Sequence, residues 1–93
     1  MIMRNARRYI VTGRVQGVGF RAATERSARE LDLAGWVQNR RDGGVELVAA
    51  GDDAALDRLG DWLAVGPSMA RVDHVEVAPA DSDDDLPQPF AVR

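Results

Sequence analysis

The sequence predicts an α+β fold, an antiparallel sheet with two helices packed on one of its faces. Three observations lead there. Short apolar stretches at 7–15, 36–39, 45–50 and 72–77 read as strands, the first with the alternation of a half-buried one. Two other segments carry apolar residues at helical spacing. The chain of 93 residues is long enough for one small domain with one modest core, so a single domain over 1–93 is expected.

The elements follow in order. Residues 7–15 read as a strand with Tyr9, Val11, Gly13 and Val15 on one face and Arg8, Ile10, Thr12 and Arg14 on the other. Residues 21–33 read as a helix whose buried stripe is Phe20, Ala23, Ser27, Ala28 and Leu31, stopped by Gly35. Trp36–Asn39 and Val45–Ala50 are strands, joined into a hairpin by the turn chemistry of Arg40-Arg41-Asp42-Gly43-Gly44. Asp52 or Asp53 caps a second helix that runs to about Gly66-Pro67, with Leu56, Leu59 and Leu63 as its stripe. Val72–Val77 is a further strand, and an irregular one: Val72 and Val75 share a face only across a bulge. Residues 80–89, with four aspartates and two prolines, read as a loop, and Phe90-Ala91-Val92 supplies a short fifth strand. Trp36, Trp62 and Phe90 are assigned to the core, since they do not form a stacking platform for RNA.

The order strand, helix, strand, strand, helix, strand is that of a ferredoxin-like double split βαβ sandwich. In that topology the first two strands are parallel, with the third between them and antiparallel to both. Their ends therefore lie at one edge of the sheet. Arg21 and Asn39, 18 positions apart in sequence, can face one small site there.

Composition narrows the function. There is no cysteine, hence no disulfide, thiol nucleophile or cysteine metal site, which fits a cytoplasmic protein. No apolar run approaches the ~20 residues of a membrane span, and no signal-peptide core opens the chain. A net charge of -3 argues against a general nucleic-acid binder. The charge is uneven: residues 1–24 carry Arg4, Arg7, Arg8, Arg14 and Arg21 and no acid, whereas Asp81, Asp83, Asp84 and Asp85 make a later stretch acidic. That acidic stretch lacks the spacing and glycine of a calcium loop and reads as solvated. His74, the only histidine, has no partner histidine or cysteine for a metal.

The chemistry concentrates in Thr12-Gly13-Arg14-Val15-Gln16-Gly17-Val18-Gly19-Phe20-Arg21. Glycines free backbone N–H groups, the helix start adds unpaired donors and partial positive charge, and Arg21 adds a guanidinium fork. All three suit a phosphate-sized anion. A helix start disfavours a cation, so Arg21 stands there at some cost, which marks it as functional rather than a solvated surface arginine. Gly17 to Ala22 also fits a G-x-G-x-x-A dinucleotide pattern, but the larger parallel sheet that pattern needs is missing. No Gly-Lys-Ser/Thr follows, which excludes a Walker A loop. Asn39 is read either as the start of the hairpin turn or as a polar group of the site.

These residues resemble the acylphosphatase family. The resemblance rests on Gly13-Arg14-Val15-Gln16-Gly17-Val18-Gly19-Phe20-Arg21, on Gly35-Trp36-Val37-Gln38-Asn39-Arg40 and on Asp42-Gly43-Gly44-Val45-Glu46. Gly51, Gly66-Pro67 and the closing Phe90-Ala91-Val92 agree with it, so it spans about residues 7–93. It implies hydrolysis of the carboxyl–phosphate bond of small acyl phosphates, with inorganic phosphate as a product. It further implies that Arg21 and the backbone of Val15, Gln16, Gly17, Val18, Gly19 and Phe20 hold the phosphate, and that Asn39 positions the attacking water. No metal or organic cofactor is implied, no protein general base, and a monomer acting without nucleic acid or membrane. Three departures bear on efficiency and specificity: Ala22 where many relatives carry an aromatic residue, Arg40 where some carry Ser or Thr, and the unusually acidic, proline-bearing segment 81–89. The alternative is a non-catalytic ferredoxin-like module that binds an anionic metabolite.

Overall fold

A computed structural model describes residues 5–81 and 85–93; Arg4, Asp83 and Asp84 of the charged stretches lie outside the described residues. The elements are β1 (Asn5–Arg14), α1 (Phe20–Glu30), β2 (Ala34–Asn39), β3 (Val45–Gly51), α2 (Asp53–Leu63), β4 (Arg71–Ala80) and β5 (Ala91–Val92). They form one five-stranded sheet in the order β4-β1-β3-β2-β5. β3 lies between β1 and β2 and is antiparallel to both, as the ferredoxin-like arrangement requires. β5 instead pairs parallel with β2, so the sheet is mixed rather than wholly antiparallel.

The core fills the space between sheet and helices. Tyr9, Val11, Val37, Val45, Leu47 and Ala49 point from the strands toward Phe20, Ala28, Leu56, Leu59 and Leu63, and all are buried. Alternation along each strand explains the set, since successive side chains leave opposite faces of the sheet. Full burial of each large apolar side chain contributes about 1.5–3 kcal/mol before entropy is set against it. Tyr9 is a polar exception: its hydroxyl donates to the Leu56 carbonyl at 2.8 Å, so its oxygen is buried without losing a partner. Phe90 is fully buried, as expected, and Trp62 packs against the core with its ring 5.7 Å from that of Phe20. Trp36 is different. It lies outside the core cluster, and the Arg93 guanidinium stacks over its ring at 4.3 Å.

Helix α1 buries Phe20, Thr24 and Ala28 rather than the full expected stripe; Ala23, Ser27 and Leu31 are only partly covered. A hydrophobicity pattern passes over Thr24, whose hydroxyl donates to the Phe20 carbonyl at 2.8 Å and so needs no outside partner. The helix also stops sooner than expected, at Glu30, and not at Gly35. Leu33 N–H donates to the Ala28 carbonyl and Asp32 N–H to the Arg29 carbonyl, a Schellman closure with Asp32 in the left-handed region at φ 57°. Asp tolerates that conformation better than most side chains, which is why no glycine is needed at the stop.

Gly35 serves β2 instead. Its φ is 137°, and a Cβ there would collide with the Val48 carbonyl of the neighbouring strand. Gly35→Ala is expected to cost about 2 kcal/mol from strain and overpacking, lowering Tm by roughly 8–16 °C. Thermal unfolding of the variant checks this; an unchanged Tm would show that the strands can move apart freely.

The irregularity expected in β4 is present. Thr12 pairs with His74 but Gly13 with Val72, so Asp73 is an extra residue and both Val72 and Val75 reach the core. The strand runs on to Ala80, past the expected end at Val77. Pro79 is tolerated because β4 is an edge strand and its missing N–H costs no ladder bond. Asp52 caps α2 by accepting from the Ala55 N–H at 2.8 Å, and Leu56, Leu59 and Leu63 are its buried stripe, as read from the sequence.

Candidate active site

Val11 of β1 and Asn39 of β2 both face Val45 of β3, so β1 and β2 reach the same edge of the sheet level with each other. Past Arg14 the chain anchors Val15 in the core and then turns through Gly17 (φ 73°) and Gly19 (φ 79°) into α1. A Cβ at either glycine would meet nothing within 4 Å. The glycines are there for backbone direction, not for room. Left-handed glycines alternating with an ordinary residue bend a loop so that successive N–H groups share a concavity.

Helix α1 begins directly on that loop. Gly19 is its N-cap residue, with no side-chain cap, and the first turn holds no acid. The donors and partial positive charge of the helix start are therefore not neutralised from within. Arg21 sits in this first turn, half-buried, and its Nη1 donates to the Arg93 main-chain oxygen at 3.0 Å. One arm of the guanidinium is thus held while its remaining N–H groups stay available.

A cavity of about 210 Å³ lies at this edge. Val15, Gly17, Gly19, Phe20 and Arg21 line one side, with Ala22, Asn39 and Val92 completing it. Asn39 is exposed at the end of β2, and none of the described residues hydrogen-bonds its side chain. Of the residues singled out from the sequence, Val15, Gly17, Gly19, Phe20, Arg21 and Asn39 are brought together. Gln16 and Val18 belong to the same loop but do not line the cavity. Val18 packs toward the core, and the Gln16 amide turns to the β2–β3 hairpin, donating to the Arg40 carbonyl at 2.7 Å and the Gly44 carbonyl at 2.9 Å.

Arg40 is engaged by the hairpin itself. Its guanidinium contacts Asp42 at 3.0 Å, and Asp42 also accepts from the Gly44 N–H at 3.0 Å. The Arg40 hydrogen bond, with that of Gly44, holds the Asp42 carboxyl below its ordinary value. Its contribution is therefore fully present above the unfolded value, ~3.9, and is lost as pH falls through the depressed folded one. An NMR titration of Asp42 is expected to give a midpoint below ~3.9, and Arg40→Gln should raise it only part of the way back, since the Gly44 N–H still donates to the carboxylate; an unshifted midpoint in the unsubstituted protein would show that the pair does not persist in solution.

Two contributors were not read from the sequence. Val92 reaches the cavity and Arg93 holds Arg21, both from the far end of the chain. The Arg93 contact uses a backbone oxygen, which no residue type announces. Larger clefts exist elsewhere, one of about 560 Å³ beside Asn5, Arg7 and Asp53, but these three side chains already pair with each other. His74 is exposed on β4, and among the described residues no group of three or more His, Asp or Glu side chains converges as a metal site would need. No described helix is long and apolar enough to cross a membrane.

Comparison with known proteins bears on the family and the fold. The acylphosphatase family model matches residues 7–92. An acylphosphatase of Koribacter versatilis is 57% identical over 74 residues, covering 80% of this chain and 67% of its own length. Acylphosphatase 2 of Ralstonia nicotianae is 49% identical over 88 residues, covering 92% of each. The structure of an acylphosphatase from Coxiella burnetii superposes with a TM-score of 0.90 at 39% identity, over 97% of this chain and 93% of that one. With the family model matching residues 7–92 and the fold shared over nearly the whole length, the chain belongs to the acylphosphatase family.

Proposed function

We propose that this acylphosphatase-family hydrolase cleaves the carboxyl–phosphate bond of small acyl phosphates in the cavity between the glycine loop and Asn39. One observation carries the placement: Arg21, the two left-handed glycines and an unengaged Asn39 line the same cavity of about 210 Å³. Arg21 and the N–H groups of residues 15–20 hold the phosphoryl oxygens, making this a phosphate-binding loop. Asn39 aligns the water, since a neutral amide both accepts and donates. The leaving group is a carboxylate, which departs without a proton, so the demand is on charge stabilisation and alignment rather than on acid catalysis.

The lining supports that division of labour. Val15, Gly17, Gly19, Phe20, Arg21, Ala22, Asn39 and Val92 include no side chain that exchanges a proton near neutral pH. The water's proton accordingly goes to a phosphoryl oxygen, and inorganic phosphate leaves from the same cradle. Small Ala22 and Val92 leave an apolar side open for the acyl group. A cytoplasmic setting fits the cysteine-free chain, a monomer is what the family resemblance implies, and a net charge of -3 argues against nucleic acid as the partner.

The test is turnover of benzoyl phosphate by the purified protein in the presence of a metal chelator. Hydrolysis with competitive inhibition by inorganic phosphate is the expected result. Phosphate binding without any turnover would make the chain a non-catalytic anion-binding module instead.

A further inference from the structure

We infer that the Gln16 side chain is a positioning residue that sets the glycine loop against Asn39, acting through the hairpin rather than on the phosphate. This rests on the reading of the cavity just given. The Gln16 Nε2 spends both its hydrogens on one place, the Arg40 carbonyl at 2.7 Å and the Gly44 carbonyl at 2.9 Å. Those carbonyls belong to the pair that closes the hairpin, since Arg40 N–H also donates to the Gly44 carbonyl at 2.8 Å. Arg40 directly follows Asn39, and Gln16 directly precedes Gly17. One side chain thus fixes the backbone beside the water-aligning residue to the backbone beside the phosphate cradle.

No strand ladder does this. β1 and β2 are not neighbours, and β3, which separates them, pairs with β1 only as far as Val11 and with β2 only as far as Asn39. Beyond Val11, β1 pairs only with β4, as far as Arg14, and the Gln16 amide ties the loop that follows to the hairpin. An amide suits the task because its NH₂ is a double donor, which neither Glu nor an apolar side chain of that length provides. Alignment of water and phosphorus is sensitive to such a tie, because a misplacement of about 1 Å can cost on the order of 100-fold in rate.

The variant for the test is Gln16→Met, neutral and of similar length but without a donor. Both carbonyls keep backbone partners in it, from Gly43 N–H and Arg40 N–H, so the hairpin should stay folded. With benzoyl phosphate as substrate, kcat is expected to fall at least tenfold while the inhibition constant of inorganic phosphate stays within threefold. Gln16→Asn, too short to reach both carbonyls, should fall between that variant and the unsubstituted protein. In an Asn39→Ala background the same Gln16→Met change should cost less than threefold, because the group it aligns is gone. Three results would overturn the inference: kcat within threefold of the unsubstituted protein, parallel loss of kcat and phosphate inhibition, or full multiplication of the two substitutions. Absence of turnover in the unsubstituted protein would instead remove the underlying functional reading, and this inference with it.

Discussion

Arg21→Lys is expected to lower kcat/KM about 1000-fold, close to 4 kcal/mol of transition-state stabilisation, and to weaken inhibition by inorganic phosphate. Charge alone is not the reason, since lysine keeps it. The Arg21 Nη1 is already committed to the Arg93 oxygen at 3.0 Å. A guanidinium retains further N–H donors in a planar fork after making that contact, and they can meet two phosphoryl oxygens at once. An ammonium on a flexible stem must divide its donors between Arg93 and the phosphate, without a fixed plane. The substitution leaves the buried face of α1, Phe20, Thr24 and Ala28, untouched, so Tm should move by no more than a few degrees. Steady-state kinetics and phosphate inhibition on the variant decide the matter. Turnover near that of the unsubstituted protein would show Arg21 to be a surface residue.

Most of the fold was legible because burial follows simple periods here. The α2 stripe, the hairpin between β2 and β3, and even the bulge that lets Val72 and Val75 share a face could be read from alternation and spacing. The topology alone puts Asn39 at the edge of the glycine loop, since two strands antiparallel to one neighbour end at the same edge.

What escaped had a different physical basis. Thr24 is buried because its hydroxyl bonds within its own helix, and hydropathy does not register that. Asp32 ends α1 in a conformation usually left to glycine, which misdirected the helix stop to Gly35. Trp36 looks like core by its size, yet it lies on the other face under Arg93. The contact between Arg21 and the Arg93 oxygen joins residues 72 apart through a backbone atom, and periodicity carries no record of it.

Asn39→Ala should separate alignment from binding. If Asn39 orients water, its loss should cost about 2.7–4 kcal/mol in kcat, on the order of 100- to 1000-fold, by analogy with other pre-organised catalytic donors. Phosphate inhibition should stay within about threefold, since the loop glycines and Arg21 remain. The fold should tolerate the change, because Asn39 is exposed and only its backbone is needed for the pairing with Val45. An amide does not titrate, so the loss should be the same at every pH where the protein is folded. That pH independence distinguishes it from a variant that removes a base, whose defect would fade at high hydroxide concentration. The comparison with Arg21→Lys is the sharper test: one variant loses rate with binding intact, the other loses both. If Asn39→Ala abolishes phosphate inhibition but keeps kcat, Asn39 is a phosphate ligand. If it changes neither, Asn39 is only the residue that begins the hairpin turn, and the water must be aligned by the loop alone.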